Sequence, residues 1–252
     1  MELSEAIELK CVLAALGFLN ENIQHNKNVI IKTMIKYSSE ADIIVFGEAF
    51  LQGFYGVNFE IEHDEKLALS QNDLIIKEIC SVAKKYKIAV SFGFIEKVEN
   101  RFYSSQITIA SNGNIIDVYR RISPGWKEKF ADERYREGNG FHIFYYMDKK
   151  IAVGLCGDLW FDENVNELKQ LFPDVVFWPV YTDFNYNEWN TTIKYEYADQ
   201  AGKIGVKVLY VNSVCKDKNE ENIARGGAVL FIDGKIDKES PSGKESILFV
   251  EV

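Results

Sequence analysis

The stretch Ile151 to Phe161, IAVGLCGDLWF, decides how the rest of the chain is read. Ile151-Ala152-Val153-Gly154-Leu155 is an apolar run of the length and type of a buried strand. Cys156 stands at its tip, Gly157 follows, and Asp158 opens a new segment. The C-terminal ends of buried strands are where open α/β sheets collect their active sites. A glycine beside the cysteine lets backbone approach a ligand, and nearby N–H groups can face a developing negative charge. The same cysteine also fits a buried structural thiol. Both readings stay open on this stretch alone.

Upstream of it, Gly140 to Tyr146 reads as a strand, joined to Ile151–Leu155 by the polar turn Asp148-Lys149-Lys150. Phe102 to Ala110 and Ile115 to Tyr119 read as strands joined through Asn112-Gly113, the strongest short hairpin signal. Ile88 to Phe94 is a further strand, and Ser70 to Tyr86 carries Leu74, Ile75, Ile79, Val82 and Ala83 at helical spacing. Gly53-Phe54-Tyr55-Gly56 is an aromatic loop that either lines a pocket or turns the chain. Asp42 to Phe46 is a short buried strand that delivers Glu48, either a solvated loop carboxylate or a placed acid/base. Lys10 to Leu16 is the first strand, and Asn20 or Asn22 caps a helix running to about Ser38.

Downstream, Glu163 to about Leu171 reads as a helix and Val175 to Trp178 as a strand ending in Pro179. Tyr181, Phe184, Tyr186 and Trp189 crowd the next loop, as a pocket wall or as packing. Glu188 to about Lys203 is helical, and Val206 to Asn212 is a buried strand. Cys215 to Asn222 is a polar loop. Ala228 to Ile232 and Ile247 to Val252 close the chain, with a turn at Asp233-Gly234. Strands alternating with helices ask for a sheet covered by helices, and the interspersed hairpins make it mixed. No repeat or linker divides residues 1–252, which read as a single domain.

Composition narrows the function. The chain has 252 residues, 47% hydrophobic and 27% charged, as soluble globular domains do. A formal net charge of −9 argues against nucleic acid and anionic membranes as partners. No apolar run approaches the ~18 residues of a membrane span, and MELSEAIELK is not a secretory signal, so a cytoplasmic location is expected. The four cysteines are far apart and form no C-x-x-C pair, which favours free thiols. The three histidines are too scattered for a metal site.

Three blocks, each at the end of an apolar strand, carry a resemblance. They are Phe46-Gly47-Glu48-Ala49-Phe50 with Gly53-Phe54, then Tyr119-Arg120-Arg121-Ile122-Ser123-Pro124, then Gly154-Leu155-Cys156-Gly157-Asp158. In kind and order they resemble the general-base, lysine and nucleophile blocks of the carbon–nitrogen hydrolase family, also called the nitrilase superfamily. The resemblance implies a four-layer αββα sandwich, often dimerised, and no metal or organic cofactor. It implies Cys156 as nucleophile, Glu48 as general acid/base and a small amide, carbamoyl or related compound as substrate.

One position departs from the pattern. Where the family carries its catalytic lysine, this chain has Arg121, which stays cationic but donates no proton at useful pH. Lys127 and Lys129 are nearby alternatives for the cation. Glu128 fits the spacing of the family's second glutamate, with Glu133 as the alternative. Gly157 beside the nucleophile, and Tyr55, Trp160 and Tyr181 by loop position, are expected to contact substrate. Two rivals remain at this stage: a Cys–His hydrolase pairing Cys156 with His142, and a binding protein of the same fold that has lost its chemistry. A homodimer or higher homo-oligomer is the expected assembly.

Overall fold

The computed structural model describes residues 8–217 and 223–252. Along the chain the strands and helices are β1 (Lys10–Ala15), β2 (Gly17–Phe18), α1 (Ile23–Tyr37), β3 (Ile43–Phe46), α2 (Ile61–Leu67), α3 (Leu74–Tyr86), β4 (Ala89–Val98), β5 (Arg101–Ile109), β6 (Ile115–Arg120), β7 (Ile143–Tyr146), β8 (Lys149–Val153), α4 (Asp162–Gln170), β9 (Val175–Val180), α5 (Tyr186–Glu188), α6 (Lys194–Gly202), β10 (Lys207–Asn212), β11 (Val214–Cys215), β12 (Ala228–Ile232), β13 (Lys235–Ser240) and β14 (Ser246–Glu251). Short 3-10 turns occupy Phe54–Gly56 and Cys156–Trp160, and a π-helical segment, Trp189–Ile193, joins α5 to α6.

Two six-stranded sheets result, ordered β14-β1-β3-β4-β5-β6 and β13-β12-β10-β9-β8-β7. Each has parallel strands at its centre and antiparallel strands outside. The sheets pack face to face with helices outside, the αββα sandwich expected from the sequence. Alternation along the strands explains this. On β1 and β3, Cys11, Leu13, Ala15, Ile43 and Val45 share one core with the second sheet. Val12, Ala14, Ile44 and Phe46 point the other way, onto Ile30 and Met34 of α1 and Ile76, Ile79 and Ala83 of α3. Strands apolar on both faces have no wet side, so they must lie between layers. Val165 and Leu168 of α4 and Ala198 and Ala201 of α6 cover the second sheet.

Several boundaries differ from the sequence reading. Asn22 caps α1 as expected, accepting the N–H of His25 at 3.1 Å. Helix α2 was not anticipated, because IEHDEKL has almost no apolar face. It forms around the buried Asp64, whose carboxylate accepts the N–H groups of Asn58 and Phe59. β4 runs on to Val98 and turns directly into β5 through Glu99-Asn100. β7 and β8 turn at Met147-Asp148, both with positive φ, rather than at Asp148–Lys150. β9 continues through Pro179 because β8 pairs with it only as far as Phe177, so no partner there needs the missing N–H. The polar edge strand β13 carries too little apolar patterning to be read in advance. The loop expected at Cys215–Asn222 begins with Cys215 inside β11, and its last five residues lie outside the described ones.

Candidate active site

Three strand ends, two from the first sheet and one from the second, deliver the three residues singled out above. β3 hands over Gly47 and Glu48. The loop crosses closely over β4, where a Cβ on Gly93 would sit 2.2 Å from the nitrogen of Ala49 and 2.6 Å from the carbonyl carbon of Glu48. Only a residue without a side chain fits under that crossing. The N–H of Glu48 donates to the carbonyl of Val180 at 3.2 Å. Its carboxylate is fully buried and accepts from Ser104 Oγ at 2.9 Å and Arg121 Nη1 at 3.0 Å. The solvated-loop alternative therefore does not hold.

Arg121 follows β6, and its N–H donates to Ser104 O at 2.9 Å. The guanidinium is 4% exposed. Nη1 faces both oxygens of Glu48, Nε donates to Ser123 Oγ at 3.0 Å, and Nη2 donates to Pro124 O at 3.2 Å. Burial, the largest single effect, works against this charge, but Glu48, Cys156 and Asp158 together outweigh it, and the pKa rises. The group is a permanent buried cation, neutralised mainly by Glu48.

Cys156 lies just past β8, at the start of its 3-10 turn, with φ of 43°. A left-handed backbone on a non-glycine residue costs energy and gathers at functional positions. Sγ donates to Tyr181 O at 3.5 Å, and Trp178 Nε1 donates to Cys156 O at 2.9 Å. Burial, and next the negative charge of Glu48, push the thiol up to about 12, while Arg121 pulls the other way. Cys156 therefore rests as a thiol. To attack, it must pass its proton to a base, and Glu48 is coupled to it by charge and by hydrogen bond.

Asp158 locks two of these loops together. It is fully buried, and its Oδ1 accepts the N–H groups of Ser123 at 2.7 Å and Ile122 at 3.2 Å. Oδ2 accepts Tyr119 Oη–H at 2.7 Å and the N–H of Leu155 at 2.9 Å. The Arg121 loop is thus tied to the residue before the nucleophile. Sequence reading quoted Asp158 within its block but assigned it no role. Ser104 was missed outright, although a run of Ser104, Ser105, Gln106 and Thr108 inside a fully buried strand was a signal that polar partners were needed there.

Glu128 and Glu133 are exposed, and the side chains that touch Glu48 are Arg121 and Ser104 instead. Lys127 donates to Tyr135 O and pairs with Glu137 at 2.8 Å, and Lys129 is exposed, so the cation against Glu48 is Arg121. Tyr181 is buried and stacks on Phe54 at 4.4 Å, with Tyr55 edge-on at 5.5 Å. Trp160 is partly exposed and packs edge-on against Tyr197 at 4.8 Å. Trp189 is core packing, stacked on Tyr210 at 4.7 Å. His142 is paired with Asp117 at 2.6 Å, and its ring rests on Tyr119. Gly157 sits directly beneath Arg121.

The sandwich is shared with solved structures. An amidase of the nitrilase superfamily from Nesterenkonia superposes over 100% of this chain and 93% of its own, with a TM-score of 0.80 at 15% identity. The glutamine-dependent NAD+ synthetase of Acinetobacter baumannii matches over 97% of this chain and 45% of its own, with a TM-score of 0.77 at 22% identity. The family model of carbon-nitrogen hydrolases matches residues 16–252, and the chain belongs to that family. It is also similar to the N-carbamoylputrescine amidase of Solanum tuberosum, 29% identical over 147 residues, which are 55% of this chain and 47% of that protein. The matched stretch spans about half the length of that relative. Among the described residues, no helix is long and apolar enough to cross a membrane.

Proposed function

We propose that this chain hydrolyses a small non-peptide C–N bond, of the amide or carbamoyl type, through a thioester on Cys156. One observation carries the reading: a thiol on strained backbone lies in electrostatic reach of a buried carboxylate and a buried guanidinium that contact each other. The family and the amidases among its relatives support the bond class. A mutant of the Nesterenkonia amidase shows covalent addition of the acetamide moiety of fluoroacetamide at its active-site cysteine.

The steps balance with these groups alone. Sγ of Cys156 bonds to the carbonyl carbon as its proton passes to Glu48. The carbonyl oxygen becomes an oxyanion, held by Arg121 and the N–H of Gly157. Each such donor contributes up to about 3 kcal/mol. Glu48 returns the proton to the leaving nitrogen, the C–N bond breaks, and the amine departs. Water then attacks the thioester while Glu48 takes its proton. The C–S bond breaks, and the sulfur is reprotonated from Glu48. Arg121 carries charge and moves no proton, so all proton traffic runs through one carboxylate. Ser104 orients that carboxylate. Tyr55, Tyr181 and Trp160 are taken as pocket walls by their loop positions, with Tyr181 O on the thiol. The same reading takes the protein as cytoplasmic and as a homo-oligomer, and sedimentation of the purified chain tests the assembly.

The deciding experiment pairs wild type with Cys156→Ala over small amides, ureido acids and nitriles, with ammonia release as readout and intact mass to detect an acyl adduct. Wild type turns over a member of the set and carries the adduct, whereas Cys156→Ala does neither while folding normally. Turnover by Cys156→Ala at the wild-type rate rejects the nucleophile.

A further inference from the structure

Gly157 has no backbone reason to be glycine. Its φ is not among the left-handed ones of the described glycines, so an L side chain is allowed there. What forbids it is space. A Cβ on residue 157 would stand 2.7 Å from Arg121 Nη2, 3.1 Å from Ser123 Oγ and 3.7 Å from Arg121 Cζ. The end of an arginine usually swings aside at little cost. This one is buried and pinned by Glu48, Ser123 and Pro124 O. Moving it would break an ion pair that has no water to replace it.

The hydrogen-bond inventory shows what the space is for. A guanidinium has five N–H groups. Among the described residues Nε–H is taken by Ser123, the Nη1 hydrogens face the two oxygens of Glu48, and one Nη2 hydrogen goes to Pro124 O. The remaining Nη2 hydrogen belongs to the end of the guanidinium that lies against Gly157, one residue from the nucleophile.

We propose that Gly157 is a positioning residue for Arg121: the missing side chain beside the nucleophile is the room that a guanidinium needs where the family carries the slimmer lysine. The glycine and the guanidinium then act as one unit. This rests on Cys156 being the nucleophile, and the test separates the two ideas. The coupling is reciprocal. With Arg121 present, a methyl group at position 157 displaces the cation from Cys156 and Glu48. With Arg121→Lys, the ammonium stem leaves that space free, Ser123 Oγ loses its Nε partner and turns away, and the methyl group is tolerated.

The probe is iodoacetamide, a small amide that alkylates Cys156 by forming a C–S bond as iodide leaves and the thiol proton passes to base. Its rate at pH 8 is followed by intact mass and peptide mapping in wild type, Gly157→Ala, Arg121→Lys and the double variant, with Cys156→Ala as control. Thermal unfolding of each serves as the folding check. Because the cation favours the thiolate, displacing it slows alkylation. The expected result is a loss of about tenfold or more, one pKa unit, for Gly157→Ala in the wild-type background. In the Arg121→Lys background the same substitution costs less than about threefold, within the scatter of independent sites. An equal loss in both backgrounds overturns the proposal, because the methyl group then acts on the nucleophile turn itself. If Gly157→Ala does not fold, a folded double variant with the Arg121→Lys rate supports the coupling, and an unfolded one overturns it. Wild-type labelling of Cys156 no faster than that of Cys80, the other partly exposed thiol, defeats the nucleophile assignment instead.

Discussion

Asp158→Asn tests how the two catalytic loops are joined. The carboxylate is fully buried and accepts four hydrogen bonds, two on each oxygen. An amide of the same shape keeps one oxygen and replaces the other with NH2. If NH2 takes the Oδ1 place, it meets the N–H groups of Ile122 and Ser123, and neither can accept. If it takes the Oδ2 place, Tyr119 Oη can rotate and accept from it, but the N–H of Leu155 is orphaned. The second arrangement is cheaper. It leaves one buried donor unsatisfied, about 1–3 kcal/mol, and turns the two retained bonds from charge-assisted to neutral, about 1 kcal/mol each. Burying a neutral amide in place of a carboxylate, whose pKa burial already raises, returns part of this cost. The net loss is about 3 kcal/mol, which lowers the unfolding midpoint by roughly 6–12 °C in a chain of this size. Circular dichroism melts at neutral pH read the midpoint, and iodoacetamide labelling of Cys156 in the folded protein reads the loop geometry. Both fall if Asp158 joins the loops. A midpoint within about 2 °C of wild type, no more than the shift expected for the loss of one kcal/mol at this size, shows that Asp158 is not the tie.

Three further outcomes follow from the same contacts. Ser104→Ala removes the neutral donor to Glu48 and leaves Arg121 in place, so turnover falls about fivefold, the worth of one hydrogen bond near 1 kcal/mol, in steady-state assays on whichever amide is turned over. His142 has its pKa raised by its hydrogen bond to Asp117, so the pair's stabilisation is present below the ordinary histidine range and is lost as pH rises through the raised folded value. His142→Gln abolishes that fall in the unfolding midpoint between about pH 6 and 8 and leaves Cys156 alkylation unchanged, which also excludes a Cys–His pair. Cys156 ionises near pH 12 in the folded chain and near 9 when unfolded, so the unfolded state sheds its proton first and stability declines as pH rises across that window. Cys156→Ala flattens this decline in alkaline urea titrations without removing it, because burial raises the Cys11 thiol in the same direction.

What could be read from the sequence follows burial. β1, β3, β9 and β10 sit between layers, so they appear as unbroken apolar runs, and the end of β3 places Glu48. Arg121 was legible through the block around it. The features that escaped depend on partners distant in the chain. IEHDEKL becomes helical around Asp64, which Tyr135 also contacts from 71 residues away. Ser104 matters only because Glu48 is folded against it. Glu128 was placed by counting from Arg121, but Pro124 and Gly125, with φ of 100°, turn the chain between them, so spacing there does not convert to direction. Tyr181 is expected at the site by loop position, which does not say that its backbone carbonyl is what meets the thiol.

The C-terminal end of β9 explains why groups from two sheets stay together. Val180 O receives the N–H of Glu48, the next carbonyl, Tyr181 O, receives the S–H of Cys156, and Trp178 Nε1 holds Cys156 O. From Glu48 the bonds run to Arg121 and Ser104, from Arg121 to Ser123, from Ser123 to Asp158, and from Asp158 to Leu155, beside Cys156. The contacts form a closed ring through β9. In a closed ring no member shifts alone, since each displacement strains the bonds on both sides of it. This is how a left-handed cysteine, costing of order 1–3 kcal/mol, is kept in place. It also means that the guanidinium cannot move aside for a neighbour, and Gly157, where a Cβ would stand 2.7 Å from Arg121 Nη2, has no side chain to displace it.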